Sequence, residues 1–405
     1  MPRSLSLRML AALLLGAAAA LAARALLPDG ALDAVVAYGT EPVGKLFLRL
    51  LFMLVLPLVL SALPLGVSGL GDLRALGRVG ARTLAYTVCV SALAVLLGVA
   101  MAGIFQPGAG LAPEVVEQLR AQLPAAPAAA AAPGLDLVVR LVPANVVAAM
   151  AEGDLLGVMV FAVFLGVGLV AVRSEATRRI EQLLEGLYEL SMWLLGAVIR
   201  VAPIGIFCLV FTLVARMGFE VMRLLAAYVL VVVGALAIHL FGVTALAVRV
   251  FGGMDPRVFF RAVRPAMLTA FSTSSSNATL PTALDVAERE LHLPSEVSRF
   301  VLTLGSTANQ NGTALFEGVT VLFLAQFYAV PLGVGQQLAV VAICVLGGIG
   351  TAGVPAGSIP VVMMILGMIG LPPEAVGVVL GVDRFLDMCR TVVNVTGDLA
   401  AAVVV

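Results

Sequence analysis

Apolar stretches long enough to cross a bilayer recur along the whole chain, and no other feature limits its folding more. Runs near 8–28, 44–70, 78–105, 137–172, 180–214, 222–250, 297–325 and 374–403 are separated by charged clusters. The hydrocarbon core takes about 20 apolar residues of helix to cross. Backbone polar groups inside it must be satisfied within the protein, which leaves helices as the natural spanning element. The expected fold is an all-α membrane protein with eight transmembrane helices, one for each apolar run. Composition agrees, since only 12% of the 405 residues are charged while 61% are hydrophobic. Soluble domains carry about 25% charged residues, so this chain cannot coat a water-facing surface and has the lipid bilayer as its main surroundings.

Arg3 and Arg8 precede the first apolar run, which ends before Pro28-Asp29-Gly30. Such a segment reads as a retained first helix, with a cleaved signal peptide as the alternative. Arg74, Arg78 and Arg82, then Arg173, Arg178 and Arg179, then Arg249, Arg257, Arg261 and Arg264 fall on alternate loops. Basic loops face the cytoplasm, so both termini are expected there, in the cell (inner) membrane. The Ala/Pro-rich stretch 107–134 would be an outside loop. Lys+Arg and Asp+Glu are equal at 24 each, which gives no reason to expect a nucleic-acid partner. Cys89, Cys208, Cys344 and Cys389 are scattered through apolar runs and suggest neither disulfides nor a zinc site. His239 and His292 lie far apart and read as ordinary packed or loop residues.

Two segments resist a simple helical reading. Residues 258–293 are broken at Ser272-Thr-Ser-Ser-Ser-Asn-Ala-Thr-Leu-Pro281, and 337–372 at Gly347-Gly-Ile-Gly-Thr-Ala-Gly-Val-Pro355-Ala-Gly-Ser358. Irregular backbone at membrane depth survives only when it is buried in protein or lines a wet cavity. Two such interruptions in corresponding places suggest paired re-entrant hairpins around a midplane site. Two kinked helices with closely packing small faces are the plainer alternative.

The last apolar run carries the densest chemistry, from Gly381 to Asp398. On a helix of about 100° per residue, with Asp383 as zero, Asp387 falls near 40°, Arg390 near −20°, Thr391 near 80°, Asn394 near 20° and Asp398 near 60°. All of these polar groups share one arc, and apolar residues fill most of the remainder. A charged residue at the centre of a spanning helix costs about 2.5–3.5 kcal/mol on insertion scales. A structural salt bridge would account for Arg390 with one aspartate and leave the other two unexplained. A guanidinium offers a planar fork to a carboxylate, and a carboxylate one turn away can hold an ammonium group. The pair suits a ligand with both charges. Asp398 and Asn394 offer hard oxygen ligands, which suit an alkali cation.

Asp387-Met-Cys-Arg-Thr-Val-Val-Asn-Val-Thr-Gly-Asp398 resembles the last-helix signature of the glutamate/aspartate transporter family, the dicarboxylate/amino acid:cation symporters. Ser274-Ser-Ser-Asn-Ala-Thr-Leu-Pro281 is similar to the family's first hairpin tip, and Gly350-Thr-Ala-Gly-Val-Pro355 to its second. Gly305-Ser-Thr-Ala-Asn-Gln-Asn-Gly-Thr313 stands where the family has Asn-Met-Asp-Gly-Thr. Arg49-Leu-Leu-Phe-Met-Leu-Val-Leu-Pro57 and Gly77-Arg-Val-Gly80 also fit. An archaeal member of this family is itself an example of such inverted repeats around a midplane site.

The resemblance implies eight transmembrane helices plus two re-entrant helical hairpins, inverted repeats, a homotrimer and an elevator-type mechanism. Residues 1–76 and 135–216 (helices 1, 2, 4 and 5) would form the scaffold and trimerisation domain. Residues 77–106 and 217–405 would form the transport domain: helices 3 and 6, hairpin 258–293, helix 7, hairpin 337–372 and helix 8. Asp387 would take the substrate's amino group and Arg390 its side-chain carboxylate, with Thr391, Asn394, Ser276, Thr313 and backbone of Ser274 and Val354 completing the site. One sodium ion would use Asp398 with backbone of Gly305, Asn309 and Asn394. A second would use backbone of Thr307, Gly348, Ile349 and Thr351.

Family members carrying neutral amino acids lack the arginine at the Arg390 position, and carriers of C4-dicarboxylates lack the aspartate at the Asp387 position. The implied activity is secondary active symport of L-aspartate or L-glutamate, driven by co-transported Na+, H+ or both, without a resident cofactor and not as an enzyme. A C4-dicarboxylate or neutral amino-acid symporter and a substrate-gated anion conductor are the alternatives. Asn311 replaces a cation-binding aspartate, and Val90 replaces a hydroxyl on the helix that carries Thr87 and Ser91. A third sodium site built from Thr87, Ser91 and Asn311 is therefore expected to be weakened. Archaeal members place an arginine at the Ser274 position and animal members one at the Met388 position; this chain has neither. Glu317 stands where proton-coupled members also carry a glutamate. Burial favours a carboxyl's neutral form, which makes Glu317 the candidate proton carrier, with a carboxyl merely hydrogen-bonded within the packing as the alternative. The Asn-x-Thr triplets at Asn277, Asn311 and Asn394 lie in this core and are not glycosylation sites.

Overall fold

The computed structural model of the chain describes residues 3–70, 78–111, 117, 142–152, 155–350 and 357–405. The described residues are helical throughout, without strands. Helix α1 (Arg3–Leu26) is followed by α2 (Asp29–Val35), which runs through a wide turn at Val36–Thr40 into α3 (Glu41–Phe52). A turn at 53–54 separates α3 from α4 (Val55–Leu70), where Pro64 removes one backbone donor from the helix interior. Next come α5 (Arg78–Phe105), α6 (Val146–Glu152) and α7 (Leu155–Ala171). Among the described residues, five stretches are long and apolar enough to cross a membrane: Leu7–Leu26, Gly30–Ser68, Val79–Phe105, Glu175–Met217 and Glu220–Val250.

Helix α8 (Glu175–Met217) is longer than the run 180–214 expected from hydropathy. At about 1.5 Å per residue it extends about 65 Å, about twice the hydrocarbon thickness. Its first turns are held by a capping box between Ser174 and Thr177 and by an Arg179–Glu175 ion pair. The capping box satisfies an orphan N–H group at the helix start, and the charged end reads as the part outside the lipid. Helix α9 (Glu220–Ile238) continues through a wide turn at His239–Thr244 into α10 (Ala245–Val250).

The remaining elements surround the charged helix. Helix α11 (Pro256–Thr273) ends at Ser274, which has left-handed backbone (φ 52°), and α12 (Ser276–Asp285) begins at once. The chain packs back on itself here, since α12 and the turn at 286–290 both contact α11. The run 297–325, expected as one helix, is instead two: α13 (Ser295–Ala308) and α14 (Asn311–Phe327), separated by Asn309-Gln310. Side-chain partners for the freed backbone groups, described below, explain why the break is tolerated. Helix α15 (Val334–Gly350) precedes α16 (Ile359–Met368), and the expected second tip between them lies outside the described residues. A tight 3-10 turn at Pro373–Val378 leads into α17 (Leu380–Val404), which starts later than the run 374–403 suggested.

Helices α1, α3, α4 and α7 pack on or next to α8. Helix α5 lies along α14, and α9, α11, α13 and α14 all pack on α17. Contacts of α17 with α1 and α8 join the two groups of helices. Close approach is secured by small residues: a Cβ at Gly98 would come within 3.0 Å of the Leu315 carbonyl, and one at Gly16 within 2.8 Å of the Phe207 carbonyl. Small residues are what lets membrane helices approach closely.

Candidate functional site

Helix α17 can hold charges at this depth because other helices wrap it. Asp383, Arg384, Asp387, Arg390, Thr391, Asn394 and Asp398 are all buried. A guanidinium buried among apolar helices needs compensating charge, and Arg390 has it twice. Its Nη1 donates to Asp383 Oδ1 at 2.9 Å, while Nε and Nη2 lie 3.0 and 2.8 Å from Asp387 Oδ1. The Phe316 ring of α14 lies 4.2 Å from its central carbon, a cation–π contact. The salt-bridge reading from sequence gave Arg390 one aspartate; the structure gives it two, because both fall within a turn or two on the same face. Thr391 donates to the Asp387 carbonyl at 2.7 Å.

A second cluster surrounds the interruption between α13 and α14. A helix beginning at Asn311 leaves its first N–H groups without intrahelical acceptors. Asn394 Oδ1 accepts from Gly312 N at 2.8 Å and Thr313 N at 3.2 Å, so a side chain of α17 caps α14 from outside. Its Nδ2 donates to Gln310 Oε1 at 2.5 Å and Thr313 Oγ1 at 2.9 Å. Asn309 Nδ2 donates to Asp398 Oδ1 at 2.9 Å. Gly305 faces the same carboxylate so closely that a Cβ there would lie 2.5 Å from Asp398 Oδ1. Asp398, Asn309 and Gly305 thus meet around one buried point, and the Asn309 side-chain oxygen Oδ1 has no hydrogen-bond partner. Hard oxygen atoms of this kind could serve an alkali cation as ligands.

The other sequence-derived residues are placed unevenly. Ser274 and Ser276 are buried beside the α11–α12 break, with both hydroxyls lacking partners. Gly348 packs against Ala314 and the Gln310 carbonyl, whereas the Thr307 side chain is exposed and donates to the Leu304 carbonyl. The Ile349 side chain, Thr351 and Val354 lie outside the described residues. Thr87 and Ser91 are buried on α5, and Asn311 is buried on α14 with its Nδ2 lacking a partner. Glu317 is fully buried on α14, with neither carboxyl oxygen hydrogen-bonded.

Three residues escaped the sequence reading of the site, and a fourth was read without a role. Asp383 falls in the polar arc, but the resemblance gives it no role. Arg384 lies about 100° from Asp383 on the wheel, just beyond the arc, yet its Nη1 is 3.3 Å from Asp387 Oδ2. Gln310, adjacent to Asn309, bridges Asn394 and the Ser306 carbonyl. Tyr228 on α9 pairs its hydroxyl with Thr320 at 2.7 Å, and no local motif marks it.

Long apolar helices wrapped around buried ion pairs and a buried oxygen cluster define a multi-pass membrane protein with a polar interior site. A family model described as the sodium:dicarboxylate symporter family matches residues 5–405. A proton/sodium-glutamate symport protein of Bacillus caldotenax is 32% identical over 372 residues, covering 91% of this chain and 87% of the relative. A proton/glutamate-aspartate symporter of Escherichia coli (strain K12) is 32% identical over 369 residues, covering 90% and 84%. A C4-dicarboxylate transport protein of Bacillus subtilis (strain 168) is 28% identical over 366 residues, covering 90% and 86%. The chain belongs to the sodium:dicarboxylate symporter family.

Proposed function

We propose that the protein is a secondary active symporter of an acidic amino acid, L-aspartate or L-glutamate, driven by co-transported Na+, H+ or both. The observation that carries this reading is the adjacent, buried, opposite-charge pair Arg390 and Asp387 on α17. A substrate carboxylate would take the Arg390 fork, and its ammonium group would take Asp387. Ser274, Ser276, Thr313, Thr391, Asn394 and Val354 would complete the pocket. The unpartnered hydroxyls of Ser274 and Ser276 support a ligand there, since buried hydroxyls ordinarily have partners. Relatives named as glutamate and glutamate-aspartate symporters favour the same substrate class.

Asp398, Gly305, Asn309 and Asn394 would hold one sodium ion. Thr307, Gly348, Ile349 and Thr351 would hold a second through backbone oxygens. Asn311 contributes no charge to a third site with Thr87 and Ser91, and Glu317 would carry a proton. The helices within 1–76 and 135–216 would form a fixed trimeric scaffold. Those within 77–106 and 217–405 would move across the cytoplasmic membrane as an elevator, with both termini in the cytoplasm.

Uptake of labelled L-aspartate into proteoliposomes, under an imposed sodium gradient and separately under a proton gradient, tests the reading. Sodium-driven accumulation is expected if the two sodium sites suffice, and proton-driven accumulation if coupling runs through Glu317. No uptake under either gradient rejects an acidic amino-acid substrate and moves the search to C4-dicarboxylates.

A further inference from the structure

Arg384 is unused in the reading above, yet it is built into the site. It precedes Asp387 by one turn of α17 and is 7% exposed. The two oxygens of Asp387 are divided between two guanidiniums: Oδ1 faces Arg390 and Oδ2 faces Arg384 Nη1 at 3.3 Å. Arg390 in turn reaches Asp383. The buried charges therefore run in one alternating line, Asp383, Arg390, Asp387, Arg384. Arg384 also lines two cavities. One of about 30 Å³ is lined also by Asp383 and Asp387 and by Phe47 and Ile199 from the neighbouring helices. The other, of about 540 Å³, reaches Leu10, Ser272 and Met388.

A ligand that places its carboxylate on Arg390 and its ammonium on Asp387 inserts into this line without breaking the alternation. Asp383 and Arg384 then flank it on either side. An acidic amino acid brings one carboxylate more than it brings ammonium groups, and Arg390 is already shared with Asp383. Arg384 is the second buried guanidinium at hand, and the larger cavity gives its side chain room to turn as the ammonium arrives. We propose that Arg384 is a specificity-determining positioning residue: it holds Asp387 for the substrate ammonium and balances the second carboxylate of an acidic amino acid. This inference rests on the acidic amino-acid reading above.

The test compares wild type with Arg384→Gln, Arg384→Met and Arg384→Lys in proteoliposomes at fixed gradients, with reconstituted protein quantified. Arg384→Met fills the cavity wall with an apolar chain and keeps the experiment available if Arg384→Gln folds poorly. The KM for L-aspartate is expected to rise at least about tenfold, or about 1.4 kcal/mol, in both charge-removing variants. The kcat should change less, and Arg384→Lys should lie close to wild type. Competition by L-asparagine, which has one carboxylate, should improve relative to aspartate. A KM within about twofold of wild type in the charge-removing variants, or a lysine variant as impaired as they are, overturns the proposal. Failure of the wild type itself to take up aspartate is a distinguishable result: it overturns the substrate reading, and this proposal with it.

Discussion

At the scale of single residues, the site is governed by what is absent as much as by what is charged. Gly305 has no side chain because Asp398 occupies that space, 2.5 Å from where a Cβ would stand. Neither backbone nor carboxylate can yield there without opening the Asn309–Asp398 bond. Gly305→Ala is therefore expected to displace Asp398 and raise the sodium concentration for half-maximal uptake at least about tenfold, an apparent loss of about 1.4 kcal/mol. A sodium titration of aspartate uptake measures this, and an unchanged midpoint would show that Asp398 is not a sodium ligand. Arginine placement follows similar logic. Arg390 is tolerable in the interior because two aspartates and an aromatic face surround it.

At the scale of elements, the instructive feature is the break between α13 and α14. The sequence shows one apolar run there, and hydropathy cannot distinguish a continuous helix from two helices whose exposed ends are capped from elsewhere. The cap comes from Asn394, over 80 residues later in the chain. Losing a side-chain cap costs about 0.5–2 kcal/mol in soluble proteins, so Asn394→Ala is expected to lower thermal stability in detergent by about that amount, even without substrate or sodium. An unchanged melting temperature would mean that another group caps α14. The same distinction explains what was legible in advance. Polar interruptions announced themselves at Ser272–Pro281 through composition, and the charged arc of α17 through periodicity. Gln310 and Tyr228 could not be read, because their partners are set by packing between distant helices. Arg384 was missed for a smaller reason: its long side chain reaches Asp387 from a position just outside the arc.

At the scale of the whole molecule, coupling depends on which buried carboxyls change their occupancy during a cycle. Among the described residues, Glu317 stands in the interior with neither oxygen hydrogen-bonded, next to the helix that bears Arg390. Glu317→Gln is permanently neutral at this position. On the proposed mechanism it should transport as though always protonated, so the dependence of net aspartate uptake on pH should disappear. Retention of the wild-type pH profile would remove Glu317 from the coupling scheme and leave its carboxyl a packing group.

The alternating line on α17 has an electrical consequence. A unit charge carried through the full membrane field exchanges about 2.3 kcal/mol with each 100 mV of voltage. Asp383, Arg384, Asp387 and Arg390 sit on one rigid helix as two positive and two negative charges. Moved together, they do no net electrical work, however far the helix travels. If α17 moves as proposed, the charges of this helix and its site on which the membrane voltage acts are Asp398, Glu317 and the ions and substrate travelling with them. The buried ion pairs of the site would be the charges to which the voltage is indifferent.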